Sequence, residues 1–163
     1  MRILGIDPGI NLCGYGILEV NPVSDQVVVI EAGVIRVPRS NCIEKRLLNL
    51  HTDLEEIFKT LQPDCVGLEQ LYSHTQRVQT AIIMGHARGV ICLAAAQQQV
   101  PIHHFAATSI KKTLTGNGRA PKGQVQLSVA RHLGLVEIPD PPDIADALAI
   151  ALCHYYLNLR NQM

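Results

Sequence analysis

The apolar residues change period after residue 37, and that change limits the folds open to this chain. Residues 3–6, 14–20 and 27–37 are apolar or β-branched stretches broken by Pro, Gly and Asn, the pattern of strands joined by turns. The third is long and partly alternating, which suits antiparallel pairing. From residue 43 to 61, Leu47, Leu50, Leu54, Ile57, Phe58 and Leu61 recur at steps of three and four, so this segment is an amphipathic helix that Pro63 ends. "DCVGLE", residues 64–69, returns to a short apolar strand. A helix over 76–99, a strand at "VPIHHF", helices over 108–115 and 122–133 and a closing helix over 141–159 complete the pattern. The order β-β-β-α-β-α-β-α predicts an α/β domain with a mixed five-stranded sheet and helices on its faces. No repeat or linker divides it, so residues 1–163 are expected to form a single domain.

Two predicted strands end in an acid: Asp7, before Pro8 and Gly9, and Glu69. Open α/β sheets build their sites at the carboxyl ends of strands, so neighbouring strands would bring these two carboxylates to one edge. Asp143 and Asp146 lie three apart on the last helix and share a face. Each acid also has a plain structural explanation. Asp7 suits a turn, Glu69 an exposed strand end, and Asp140 and Asp143 the first turn of a helix, with Asp140 as its N-cap and Pro141 as its first residue. Asp146 resists that treatment, because it precedes the apolar run "ALAIAL". Four carboxylates on one edge repel each other, and a divalent cation relieves the repulsion. A ligand set of carboxylates alone favours magnesium or manganese.

Net charge is zero, but residues 70–136 hold no Asp or Glu while carrying seven of the fourteen Lys and Arg, among them Lys111, Lys112, Arg119 and Lys122. A basic middle between acidic ends points to a polyanionic partner. No uninterrupted apolar run reaches the roughly 18 residues that span a bilayer. Five scattered cysteines without a CxxC pair, and a strand-like start in place of a leader, predict a cytoplasmic protein.

"ILGIDPG" followed by "CGYGI", "VGLEQLY", "HARGV", "IKKTLTGNGRAPKGQV" and "IADALAIAL" resembles, over essentially the full length, the RuvC family of bacterial Holliday junction resolvases. The resemblance implies a ribonuclease H-like fold and a homodimeric, magnesium-dependent endonuclease that nicks four-way DNA junctions in pairs, leaving 5′-phosphates. It implies that Asp7, Glu69, Asp143 and Asp146 are the catalytic and metal-binding carboxylates, and that Asp140 is not. Two magnesium ions per subunit are expected, with manganese as a substitute. Lys111 and Lys122 match basic positions near the DNA backbone, and Tyr72 matches an aromatic position suited to stacking on an unpaired base. A branch-migration motor is the further partner that the family implies. The small-residue helix around 84–96, with Gly85, Gly89, Ile82, Ile83, Val90, Ile91 and Leu93, is the expected dimer contact. Three other readings fit parts of this pattern: a ribonuclease H-type enzyme on RNA/DNA hybrids, a non-catalytic junction-binding module, and an actin-like ATPase, which needs two such lobes.

Overall fold

The computed structural model describes residues 1–38, 42–70 and 78–159. Three antiparallel strands open the chain: β1 (Arg2–Asp7), β2 (Leu12–Val20) and β3 (Val27–Arg36). Helix α1 (Ile43–Leu61) then leads to β4 (Cys65–Glu69), and α2 (Val78–Gln97) to β5 (Ile102–Phe105). The sheet order is β3-β2-β1-β4-β5, with β4 parallel to both β1 and β5. The chain ends with α3 (Ala107–Thr115), α4 (Lys122–His132) and α5 (Pro142–His154).

Alternation along the strands divides the core into two layers. Leu4, Ile6, Ile17, Val66 and Leu68 face α1 and α2, where Leu50, Leu54, Phe58, Ala87 and Ile91 cover them. Ile3, Leu18, Val20, Cys65 and Phe105 face α3, α4 and α5. Each fully buried Leu or Phe contributes about 1.5–3 kcal/mol of transfer free energy, so the helices are held by the faces they bury. The sheet therefore carries helices on both faces, as the sequence pattern predicts.

Three details depart from expectation. Helix α5 begins one residue later than expected: Pro141 is the N-cap and Pro142 the first helical residue, and no side chain caps the helix. Asp140 is thus not the N-cap. Two adjacent prolines fit here because a first-turn residue has no intrahelical partner for its N–H. The α-helix stops at His154, and residues Tyr155–Leu159 continue as a π-helical turn. Finally, among the described residues α2 is long and apolar enough by length and composition to cross a membrane, although no uninterrupted apolar run is. Its buried Ala87, Ile91, Ala94 and Ala95 lie against the sheet, which makes it a layer of the domain.

Candidate active site

Strand β1 is buried along Ile3, Leu4, Gly5 and Ile6, and it delivers Asp7 half-buried at its carboxyl end. β4 runs parallel beside it, with Ile6 opposite Leu68, so Glu69 emerges at the same edge. Asp143 lies in the first turn of α5 and Asp146 one turn later. What brings them to Asp7 is the close seating of α5 on two strand glycines. A Cβ at Gly14, the β2 partner of Asp7, would lie 2.1 Å from the Asp143 carbonyl oxygen. A Cβ at Gly5 would lie 2.0 Å from that of Ala147. Only glycine permits this backbone-to-backbone approach.

The four predicted carboxylates thus share one field. Burial first, then the charges of Asp146, Glu69 and Asp143, push the Asp7 carboxyl up to about 7, against a smaller opposing pull from Lys122. Glu69 is raised by burial and by Asp146, and Lys111, Arg88 and Lys122 draw it back. The Lys122 ammonium donates to Asp146 Oδ2 at 2.5 Å, and that bond, more than any other influence, raises its own pKa. Lys122 and Lys111 line an open cleft of about 220 Å³ together with Glu69 and Asp146.

All four candidate ligands offer carboxylate oxygens, and a cation among them would relieve the repulsion that raises Asp7. The donor chemistry therefore fits magnesium or manganese. The side chains are not drawn around a single point: among the described residues, no three His, Cys, Asp or Glu are arranged to hold an ion, and Asp146 is engaged by Lys122.

The other predicted contacts divide. Lys112 and Arg119 are exposed, and neither lines the carboxylate cleft. Tyr72 lies outside the described residues. On α2, the expected contact set needs correction at Ile91, which is fully buried and offers no free area, while Val90 is partly buried against the core. Val78, Ile82, Ile83 and Leu93 are the exposed apolar residues of this helix. Two participants had no assigned role in the sequence reading. One is the pair of seating glycines, for which interior strand glycines were the available signal. The other is Arg88, whose guanidinium donates to the Glu69 carbonyl; in the sequence it is one of the seven basic residues of the acid-free stretch and part of "HARGV".

Comparison with known proteins points the same way. A family model described as "Crossover junction endodeoxyribonuclease RuvC" matches residues 3–154. A protein of that name from Rhodopirellula baltica is 51% identical over 155 residues, covering 95% of this chain and 86% of the relative. Another, from Caldicellulosiruptor saccharolyticus, is 47% identical, covering 94% and 92%. Among solved structures, Thermus thermophilus RuvC superposes with a TM-score of 0.86 at 32% identity, covering 96% of this chain and 94% of that one. The same protein in complex with a Holliday junction substrate gives 0.85 at 29% identity, with the same coverage. The α/β sheet with helices on both faces is accordingly the ribonuclease H-like arrangement expected. A family model matching residues 3–154, relatives 51% and 47% identical over most of the chain and a TM-score of 0.86 leave one conclusion, that this chain belongs to the RuvC family of crossover junction endodeoxyribonucleases.

Proposed function

We propose that this protein resolves four-way DNA junctions by metal-dependent hydrolysis of one phosphodiester in each of two strands. The observation that carries the reading is the group of Asp7, Glu69, Asp143 and Asp146 at one sheet edge, sharing a field that lifts Asp7 to about 7, with Lys111 and Lys122 on the adjoining cleft. The four carboxylates would hold the cations, two magnesium ions being our reading, with manganese as a substitute. Bound there, the ions would supply Lewis acidity, lowering the pKa of an attacking water and offsetting charge on the leaving oxygen. Asp7 gives the site its rigid point, because β1 is buried on both faces. Lys111 and Lys122 place positive charge where the scissile phosphate would lie, and Lys122 can exchange its Asp146 partner for a phosphate oxygen. Hydrolysis in this arrangement would leave a 5′-phosphate and a free 3′ hydroxyl.

The molecule is read as one nuclease domain acting as a homodimer in the cytoplasm. One carboxylate group cuts one strand, and a junction with two-fold symmetry needs two cuts. The exposed apolar face of α2 is the proposed contact between copies. A Cβ at Gly85 or Gly89 would meet nothing within 4 Å in the single chain, which leaves room for a second helix to approach.

The deciding experiment incubates the protein with a synthetic four-way junction, with and without magnesium, beside Asp7→Asn, Glu69→Gln, Asp143→Asn and Asp146→Asn. Each variant is expected to lose at least about a hundredfold in cleavage rate while still binding the junction, because phosphate affinity comes from Lys and Arg. Asp140→Asn is the control and keeps its activity. Near-normal cleavage by any of the four removes that residue from the site. Efficient cutting of RNA/DNA hybrids in place of junctions would favour the ribonuclease H-type reading, and binding without cutting would favour a junction-binding module.

A further inference from the structure

Among the described Lys and Arg residues of the acid-free stretch, Arg88 is distinguished by a guanidinium that donates to a backbone carbonyl of another element. It follows buried Ala87 and precedes buried Ile91 by three residues, so it lies beside the face of α2 that rests on the sheet. One guanidinium nitrogen donates to the backbone carbonyl of Glu69, and the other lies 3.2 Å from His104 Nδ1 on β5. The side chain therefore joins three elements at one place: the last residue of β4, the neighbouring strand β5 and the helix above them. The next residue is tied as well, since the Gln70 N–H donates to the Phe105 carbonyl at 2.8 Å. Glu69 thus has its main chain held by an arginine from above, and the chain just past it is held by β5 from the side.

We propose that Arg88 is a positioning residue: by fixing the Glu69 carbonyl it sets the direction of the Cα–Cβ bond and aims the Glu69 carboxylate at the site. The alternative role for an arginine in this stretch is direct contact with a DNA phosphate. Geometry favours positioning, because a guanidinium committed to a backbone carbonyl and an imidazole has two of its donor directions occupied. The attraction of Arg88 for the Glu69 carboxylate supports the same arrangement. Because α2 also carries the exposed apolar face proposed as the dimer contact, Arg88 provides a covalent and hydrogen-bonded route from that face to one of the four carboxylates. The proposal rests on the reading of Glu69 as part of the site, and its test separates the two.

The test compares Arg88→Gln, Arg88→Lys, Glu69→Gln and the Arg88→Gln/Glu69→Gln double variant. Each is assayed for single-turnover cleavage of bound junction, for junction affinity across salt concentrations, and for Mn²⁺ affinity by calorimetry without DNA. Arg88→Gln is expected to slow cleavage of bound junction and to weaken Mn²⁺ binding, each about tenfold, as loss of a residue orienting a ligand does. Junction affinity and its salt slope stay unchanged. Arg88→Lys recovers part of both losses, since an ammonium reaches the carbonyl but cannot fork to His104. The double variant is no worse than Glu69→Gln alone. Normal cleavage by Glu69→Gln would overturn the reading of Glu69. An inactive Glu69→Gln beside an Arg88→Gln that cleaves normally and binds Mn²⁺ normally would overturn the positioning role alone. A salt slope shallower by about one unit in Arg88→Gln, with normal turnover of bound DNA, would make Arg88 a phosphate contact instead.

Discussion

Asp7 is the residue whose environment departs furthest from that of an ordinary carboxylate in this site. With its pKa near 7 in the folded chain and 3.8 as the reference value, the folded state holds a proton that the unfolded state has released. Its contribution to stability in chelator is therefore present below about pH 4 and is lost as pH rises toward 7. A cation must displace that proton, so binding should strengthen over the same interval. The expected result is a magnesium-induced rise in melting temperature that is small at pH 5.5 and grows to a plateau above pH 7. Asp7→Asn should abolish the growth, and an equal magnesium shift at every pH in the native protein would count against Asp7 as a ligand. Lys111 and Lys122 line the cleft beside it and are the proposed contacts to the substrate phosphate. Removing either should weaken junction binding and make the dependence of log K on log salt shallower by about one unit. Binding titrations at several salt concentrations measure this, and an unchanged slope with slower cleavage would assign the lysine to the transition state.

At the scale of elements, the site is a consequence of how α5 sits on the sheet. The helix is apolar on nearly every side, with Ala145, Ala147, Leu148, Ile150 and Leu152 all buried, so it has no wet face to turn outward beyond its first turn and a half. Burial therefore holds Asp143 and Asp146 at the end nearest Asp7. The fit depends on Gly14, where a methyl group would lie 2.1 Å from the Asp143 carbonyl. Gly14→Ala should push the start of α5 off the sheet, with a stability cost of about 1–3 kcal/mol for overpacking. Cleavage should fall more steeply than stability, because Asp143 moves with the backbone. Thermal denaturation alongside single-turnover cleavage separates the two effects. A variant that cleaves normally would mean that the helix start is not needed for the chemistry.

The whole molecule presents opposite characters on its two faces. One end of the sheet gathers the carboxylates and the basic cleft, whereas α2 exposes Val78, Ile82, Ile83 and Leu93, with Ile82 55% and Leu93 52% exposed. On the proposed two-fold reading, this uncovered apolar area is where a second copy would sit. Gly89→Arg would put a bulky charge into that contact, and its Cβ would meet nothing within 4 Å among the described residues of the single chain beyond its own helix backbone. The variant should sediment as a folded monomer, nick junctions once and resolve them poorly. A dimer that survives the substitution would move the contact elsewhere, and a monomeric native protein with full resolving activity would end the two-fold reading.

Much of this was legible without coordinates, for a physical reason: period and punctuation are local. The recurrence of Leu50, Leu54 and Phe58 is enough to make α1, and Pro63 is enough to stop it. The strand-ending positions of Asp7 and Glu69 follow from the same local logic. Because "ALAIAL" is apolar on every side, it had to be a buried helix, and that made Asp146 conspicuous. The start of α5 was misjudged by one residue, because two consecutive prolines offer the same local signal at either position. What sequence could not decide was which elements meet. That β1 and β4 are neighbours depends on strand order, and strand order is set by the packing of two helical layers onto one sheet. That Gly5 and Gly14 are seats for α5 depends on a helix more than a hundred residues away. That Ile91 is buried while Ile82 is exposed depends on which side of an almost uniformly apolar helix the sheet takes, a choice its own periodicity leaves open. Arg88 reaches the Glu69 carbonyl only because α2 crosses over the end of β4, and no spacing in the chain could have announced that contact.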